Sequence, residues 1–330
     1  MKAYHNFTEA YVDIIRDVYT SPEFTSSPRG MKVKEILGYQ FKILNPRNRI
    51  PYVKGRDFSI HYMVAELLWY LSGNDSTNWI SNYSTFWPKI SDDGETANSA
   101  YGARIFKSHD RIAKTVDENW TQWNYVVEEL KKDPDSRRAV IHIRSPQDSI
   151  LAQLDVPCTL SLQFFLRGDK VYMVTSMRSS DVILGLAYDV PTFTLFQELL
   201  ALQLTKELGR PIGLGDYTHL SASLHVYERH FKMVEKILDE DTRRDYRDVL
   251  EMPQMPDNPP LGRLMSLEND IRNLNDEQKL VDFEIGFEDY WKDWARVLVS
   301  HRLQKLGDIG LANQLLLSTN FEGYKYFVKE

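Results

Sequence analysis

Cysteine is nearly absent: the 330-residue chain holds one, Cys158. A single thiol cannot close an intrachain disulfide, and it leaves no set of thiolates to hold structural zinc. A reducing, cytoplasmic setting is the expectation that follows. Long apolar runs are missing too. Val182 to Tyr188 stops at Asp189, far short of the roughly 18 apolar residues that a membrane span needs. Met1 to Asn6 lacks the apolar core of a signal peptide, so no secretory leader is expected. Nor is there an excess of positive charge. Forty Lys and Arg against 47 Asp and Glu give a net charge of −7, which argues against a general nucleic-acid binder but leaves room for a local phosphate pocket. Sixteen glycines and 14 prolines exclude collagenous or low-complexity architecture. What remains is 42% hydrophobic, 12% aromatic and 26% charged. These are globular proportions, in a chain long enough for two domains or for one large domain with an appendage.

Apolar spacing predicts the elements. Phe7, Tyr11, Ile14, Ile15 and Val18 recur at helical spacing, and a turn-rich stretch from Ser21 to Gly30 follows, carrying Arg29. A second helix is expected over Ile60 to Leu71, almost wholly apolar, with Glu66 embedded in it. Gly73 to Gly102 reads as a polar loop holding Trp79, Phe86 and Trp87. A third helix is expected from about Glu118 to Lys131, ending before Pro134. Arg138 to Arg144 reads as a strand with Ala139, Ile141 and Ile143 on one face. Leu160, Leu162, Phe164 and Leu166 alternate before a Gly168-Asp169 turn, and Val171, Met173, Thr175 and Met177 alternate after it, the pattern of a hairpin. Asp189-Val190-Pro191 is expected to open a helix running to about Leu204. Past His230 the chain turns charged, with four prolines between Pro253 and Pro260, and ends in a helical pattern near Phe287, Tyr290, Trp291, Trp294 and Leu298. The expectation is one α+β domain over residues 1–230 and a mostly helical C-terminal region over 231–330 packed on it.

A lone cysteine is most often a small buried hydrophobe. Cys158 has other company. It precedes a strand in Asp155-Val156-Pro157-Cys158-Thr159, and arginines stand in motif-like settings: Arg29 in its loop, Arg137-Arg138 after Pro134-Asp135-Ser136, and Arg178 at a hairpin end. An arginine beside a thiol raises its thiolate fraction, which matters because only a few per cent of an unperturbed thiol is ionised at neutral pH. Arg178-Ser179 joins a planar fork to a hydroxyl, a pairing suited to a phosphate dianion. Glu66 in an apolar helix has two readings, a structurally paired carboxylate or a proton-handling group, since burial of a lone carboxylate is costly. Asp189, ahead of Pro191 and an apolar run, has a simple reading as a helix N-cap. His219, His225 and His230 lack the H-E-x-x-H spacing, and no metal site is expected.

Taken in order, these segments resemble the thymidylate synthase family, and within it the deoxycytidylate hydroxymethylases of bacterial viruses. The resemblance runs over roughly residues 28 to 230. It includes Arg29, Glu66-Leu67-Leu68-Trp69, Trp87, Tyr101-Gly102, Asp133 to Arg138, Pro157-Cys158, Arg178 to Gly185, and His225-Val226-Tyr227. Such a resemblance implies an α+β fold with a large twisted mixed sheet covered by helices. It implies that Cys158 attacks C6 of a pyrimidine nucleoside monophosphate. Arg29, Arg178 and Ser179 hold its phosphate in this picture, with Arg137 and Arg138 reaching in from the partner subunit of a homodimer. His225 and Tyr227 contact the sugar, Glu66 relays protons through ordered water, and Tyr101 supports that network. Trp87, Asp181, Leu184, Gly185 and Tyr188 line the pocket of the co-substrate, 5,10-methylenetetrahydrofolate. Nucleic acid, membrane and metal have no part in the implied reaction.

Where the chain departs from thymidylate synthases, it does so toward the hydroxymethylases. Asp189 stands where those synthases carry Asn, Thr159 where they carry His, and Met177 where they carry Gln. A carboxamide meets the N3–H donor and O4 acceptor of uracil with one acceptor and one donor, whereas a carboxylate accepts from the N4 amino group and protonated N3 of cytosine. The expectation is therefore hydroxymethylation of dCMP or CMP, with water capturing a C5 methylene intermediate. A (d)CMP methyltransferase, a synthase acting on dUMP and a non-catalytic nucleotide-binding paralogue are the alternatives. The last residues, Tyr324 to Glu330, are unlike the family's closing tail.

Overall fold

The computed structural model describes residues 1–107, 119–150, 153–241, 249–274, 283–284 and 286–328. The expected helix start at Glu118 and the last two residues lie outside them. The architecture is α+β, with one open mixed sheet of eight strands and twelve α-helices among the described residues. Two compact units share the chain. The first is built from Met1–Phe58, Ser108–Ser149 and Pro157–Glu251, the second from Ser59–Lys107, Ile150–Val156 and Met252–Glu330.

The first unit carries the sheet. Its strands are β1 (Lys2–Tyr4), β2 (Phe24–Ser26), β3 (Val33–Ile43), β4 (Val140–His142), β5 (Thr159–Arg167), β6 (Lys170–Met177), β7 (Ser180–Asp181) and β8 (Gly213–Tyr227). They run in the order β1-β3-β8-β6-β5-β4, with β2 paired to β3 and β7 to β8. Helix α1 (Phe7–Thr20) opens where the Asn6 side chain accepts the Glu9 N–H at 2.8 Å. The expected Phe7, Tyr11, Ile14, Ile15 and Val18 are all fully buried, on the face turned to β3 and β8. The predicted hairpin is β5–β6, and all four inward residues of β6 are buried. Leu160 departs from the expected alternation. A bulge between Thr159 and Ser161 shifts the phase, so Thr159 is buried and Leu160 only half-buried. On the opposite face of the sheet, Phe165, Tyr172, Val174 and Leu220 remain half-exposed.

Five strands of the sheet, the short β1, β2 and β7 and the long β3 and β8, were not expected from the pattern. The inward positions of β8 include His219 and Ser221, and Gly38 interrupts β3 with φ of 64°. The helix expected from Asp189 begins earlier. It spans Leu186–Leu208 (α7), follows α6 (Gln122–Lys132) in the chain, and packs on β6, β8 and α6. Arg49 is fully buried and bonds Glu198 of α7 through Nη2 at 2.6 Å, a pairing that satisfies two charges which neither could bury alone. After β8 every described element is helical, beginning with the 3₁₀ turn Glu228–His230.

The second unit is organised on α2 (Ile60–Leu71), whose first turn is capped by the Ser59 hydroxyl accepting the Tyr62 N–H. The segment expected as a loop contains α3 (Thr77–Ile80) and α4 (Trp87–Ile90), and α5 (Tyr101–Phe106) follows. Later come α8 (Phe231–Asp241, which belongs to the first unit), α9 (Leu261–Asn273), α10 (Asp289–Leu306), α11 (Ile309–Leu317) and α12 (Glu322–Lys325). Helices α5, α9 and α10 all pack on α2, and α10 buries Trp291, Trp294 and Leu298 as its spacing predicts.

The contact between α2 and α5 depends on one missing side chain. A Cβ on Gly102 would lie 2.0 Å from the Tyr70 carbonyl oxygen and 2.3 Å from its Cα. Both atoms are backbone, so no rotamer change relieves the clash. Gly102→Ala is expected to destabilise the protein by about 3 kcal/mol through forced separation of the two helices. Denaturant unfolding reads that loss, and a change below about 0.5 kcal/mol would contradict the packing described.

Candidate active site

The bulged register of β5 and β6 pairs Thr159 with Met177, which sets Cys158 opposite Arg178 at the open end of the hairpin. Two bonds hold that end. The Arg178 N–H donates to the Cys158 carbonyl at 2.8 Å, and its Nε–H donates to the Pro157 carbonyl at 2.8 Å. Cys158 is partly exposed, Arg178 is exposed and Ser179 is partly exposed beside it. A thiol and a guanidinium fork thus share one strand end, with the fork anchored through Nε.

Strand β7 continues from there and pairs with the end of β8, Asp181 facing His225. His225 is buried and meets the Tyr227 ring edge-on at 5.1 Å. The loop with Arg29 reaches the same end, because Val33 pairs with Tyr227 and the Glu228 N–H donates to the Lys32 carbonyl. Arg29 is exposed and left-handed, with φ of 52°, a conformation that costs a side-chain-bearing residue and is found more often at functional sites.

Arg137 and Arg138 are not brought to Cys158 within this chain. Strand β4 pairs Val140 with Gln163 and His142 with Ser161, so the two arginines lie toward the other end of β5, where the Gln163 side chain donates to the Arg137 carbonyl. Both are exposed.

Between β7 and α7 the chain makes a tight turn around Asp181. Its Oδ1 accepts the N–H groups of Ile183 at 2.7 Å and Leu184 at 2.9 Å, while its Oδ2 is buried with no hydrogen-bond partner among the described residues. Leu184 is exposed, and Tyr188 stacks on Phe58 at 4.7 Å. Asp189 is not a cap. It is the fourth residue of α7, its N–H donates to the Gly185 carbonyl at 2.9 Å, and Gly185 occupies the capping position. Its carboxyl has no hydrogen-bond partner among the described residues. A Cβ on Gly185 would come within 3.1 Å of Asp189 Oδ2, so the glycine makes room for that carboxyl. Desolvation, with the negative charge of Asp181 nearby, pushes the Asp189 pKa up to about 7. The side chain keeps a partial opening to solvent.

Arg56 went unnoticed in the sequence. It is buried, donates to the Tyr11 hydroxyl at 3.1 Å and to the Ile183 carbonyl at 2.5 Å, and lies over the Tyr188 ring. It buttresses the turn from behind. Its setting, Lys54-Gly55-Arg56-Asp57, reads as a solvated turn and carries no signal of burial. His219 is buried between the Tyr217 hydroxyl and Ser180, and desolvation pushes its pKa down to about 3, so it is neutral. Among the described residues no three His, Cys, Asp or Glu side chains gather as metal ligands.

The second unit holds the other three expected residues. Glu66, 6% exposed, sits on α2 with Tyr62 one turn before it and Tyr70 one turn after. The Tyr62 hydroxyl donates to Glu66 Oε1 at 2.5 Å and the Tyr70 hydroxyl to the same oxygen at 3.2 Å. The Trp87 indole N–H donates to the Tyr62 hydroxyl at 2.9 Å, and Tyr101 stacks on Tyr70 at 5.3 Å. Tyr62 and Tyr70 thus donate to one and the same carboxylate oxygen.

The sequence model of the thymidylate synthase family matches residues 9–258. A curated relative, the deoxyuridylate hydroxymethyltransferase of Bacillus phage SP01, is 31% identical over 253 residues, covering 76% of this chain. The chain spans 63% of the length of that relative.

Proposed function

This chain belongs to the thymidylate synthase family, and from that premise we propose that it transfers a hydroxymethyl group to C5 of a pyrimidine nucleoside monophosphate. The observation that carries the reading is the hairpin end where Cys158 faces Arg178. Arg178, Ser179 and Arg29 take the phosphate, and His225 and Tyr227 take the sugar. The Cys158 thiolate adds to C6, which makes C5 a nucleophile toward the one-carbon unit of 5,10-methylenetetrahydrofolate. Loss of the C5 proton and of tetrahydrofolate leaves an exocyclic methylene. Water adds to that methylene and Cys158 departs, giving the 5-hydroxymethyl nucleotide.

The folate fits the residues present. The unpartnered Asp181 Oδ2 is an acceptor for a ring N–H of the pterin, and Leu184, Gly185 and Tyr188 offer apolar and aromatic surface. Glu66 and Tyr101 belong to the proton-handling network. The half-exposed sheet face with Phe165, Tyr172, Val174 and Leu220 supports a homodimer. Arg137 and Arg138 are exposed and remote along β5 from their own Cys158, which supports a role at the site of a partner subunit.

Asp189 selects cytosine in this reading. As the thiolate adds, charge builds at N3 of the ring. A carboxyl that titrates near neutrality gives N3 its proton, and the carboxylate left behind accepts hydrogen bonds from N3–H and the N4 amino group of the now neutral ring. A second reading, uracil, draws on the deoxyuridylate named in the relative and on the same carboxyl. When protonated, Asp189 offers a donor to O4 and an acceptor to N3–H, the pattern of a carboxamide. Competition among dCMP, CMP and dUMP with methylenetetrahydrofolate, read by product mass, tests both. A hydroxymethyl product mainly from a cytosine nucleotide is expected. Product from dUMP alone moves the chain to the second reading, and a methyl product removes the water step.

A further inference from the structure

The bond chain through Glu66 has a direction. An indole N–H only donates, so Trp87 must use the Tyr62 oxygen as acceptor, and the proton of that hydroxyl is then free to point at Glu66. Tyr70 donates to the same oxygen. The helix explains the arrangement: Tyr62, Glu66 and Tyr70 stand at i−4, i and i+4 on one face of α2, and α4 supplies Trp87, whose ring lies against Trp69 at 5.0 Å. Oε1 therefore accepts two phenolic protons and is closed as a protonation site, while Oε2 carries neither of these bonds.

We infer that Tyr62 is a positioning residue which fixes Glu66 in one orientation and makes Oε2 the oxygen that takes up and releases protons. The inference rests on the hydroxymethyltransferase reading, in which Glu66 manages the water and protons of the transfer. In each turnover a proton bound at Oε2 leaves from Oε2, and Oε1 keeps its two donors throughout. Tyr62 acts through Glu66 and touches no reacting atom. Trp87 sets which way the Tyr62 proton points, so the indole contributes to proton handling.

Tyr62→Phe keeps the ring and removes the hydroxyl. The hydroxymethylation kcat should fall on the order of 10- to 100-fold, with the nucleotide KM within about threefold of wild type. A carboxylate that loses a donor binds protons more readily, so the acidic limb of the kcat profile should move to higher pH. Tyr70→Phe, which removes the longer bond, should show a smaller shift in the same direction. Carbon-13 NMR of the Glu66 carboxyl gives a readout independent of turnover, and its titration should move to higher pH in Tyr62→Phe. A titration that stays in place overturns the inference, as does a fall in kcat with an unmoved acidic limb. A wild-type protein that makes no hydroxymethyl product while the titration still moves refutes the functional reading and leaves the bonding geometry standing.

Discussion

Cys158→Ser is expected to abolish product formation while nucleotide binding stays within a few-fold of wild type. The two effects separate because different groups cause them. Bond formation at C6 needs an anionic, polarisable nucleophile. A few per cent of a thiol is ionised at neutral pH even unperturbed, and a neighbouring guanidinium raises that share, whereas a serine hydroxyl has no comparable ionised fraction. In the proposed reading binding depends instead on charge-assisted bonds to phosphate from Arg178 and on the Ser179 hydroxyl, which the substitution leaves in place. The Arg178 N–H bond to residue 158 uses a backbone carbonyl and survives the exchange as well. A fall of at least about a thousandfold in kcat is the expected size, since the covalent route is lost as a whole. Product mass after extended incubation and a titration of nucleotide binding give the two readouts. Residual turnover of a tenth or more would place the nucleophile elsewhere, and a wild-type chain that binds nucleotide but is inert with any one-carbon donor would be the non-catalytic paralogue.

Asp189→Asn is the second large effect, and it is one of kind rather than of rate. A carboxamide can donate to N3 of cytosine but cannot release a proton to it, so charge built there by thiolate addition stays unneutralised. Uracil, with its N3–H and O4, is matched by a carboxamide as it stands. The ratio of kcat/KM for cytosine over uracil nucleotides should fall on the order of a thousandfold or more, the scale on which buried polar mismatches discriminate. The wild type should also show a pH limb that the variant lacks. Asp189 is held near 7, so the free protein carries its proton below that pH and loses it above. Because the productive complex of the cytosine reading holds one proton between the carboxyl and N3, kcat/KM for a cytosine nucleotide should fall about tenfold per pH unit on the alkaline side. Stability carries the same sign. The pKa is raised from 3.8, so stabilisation by the neutral carboxyl is complete below 3.8 and is lost as pH rises through about 7. Asp189→Asn should therefore gain stability relative to wild type at pH 8 and not at pH 4. Unchanged base selectivity in the variant would leave Asp189 without a part in recognition.

The turn that presents Asp189 shows how far local pattern reaches. Asp189 before Pro191 and an apolar run has the composition of a helix start, yet α7 begins three residues earlier. Gly185 and the Asp181 turn set that start, through backbone bonds that composition does not display. The same limit explains the missed strands. Strand β8 turns His219 and Ser221 inward, where they bond Tyr217 and Ser180, so its inward side does not read as apolar. Gly38 breaks the alternation of β3 by its left-handed backbone. The helix α1 and the hairpin were legible because each buries a strictly apolar face, and that periodicity is written residue by residue.

By itself, then, the sequence determined the α+β character, the apolar faces that build α1, α2, α10 and the hairpin, and the ordered motifs from Arg29 to Tyr227 that identify the family. Side-chain identity and short-range spacing suffice for these, because burial of a periodic face and chemical type are local properties. Only the tertiary structure decided the rest. The bulge at Thr159 sets Cys158 opposite Arg178, and the β4–β5 register holds Arg137 and Arg138 away from it. Gly185 leaves the space that the Asp189 carboxyl uses, and burial beside Asp181 moves its proton affinity to neutrality. Trp87 turns the Tyr62 hydroxyl toward Glu66. Each of these depends on atoms brought together from distant parts of the chain, and register, desolvation and hydrogen-bond direction exist only once those atoms meet.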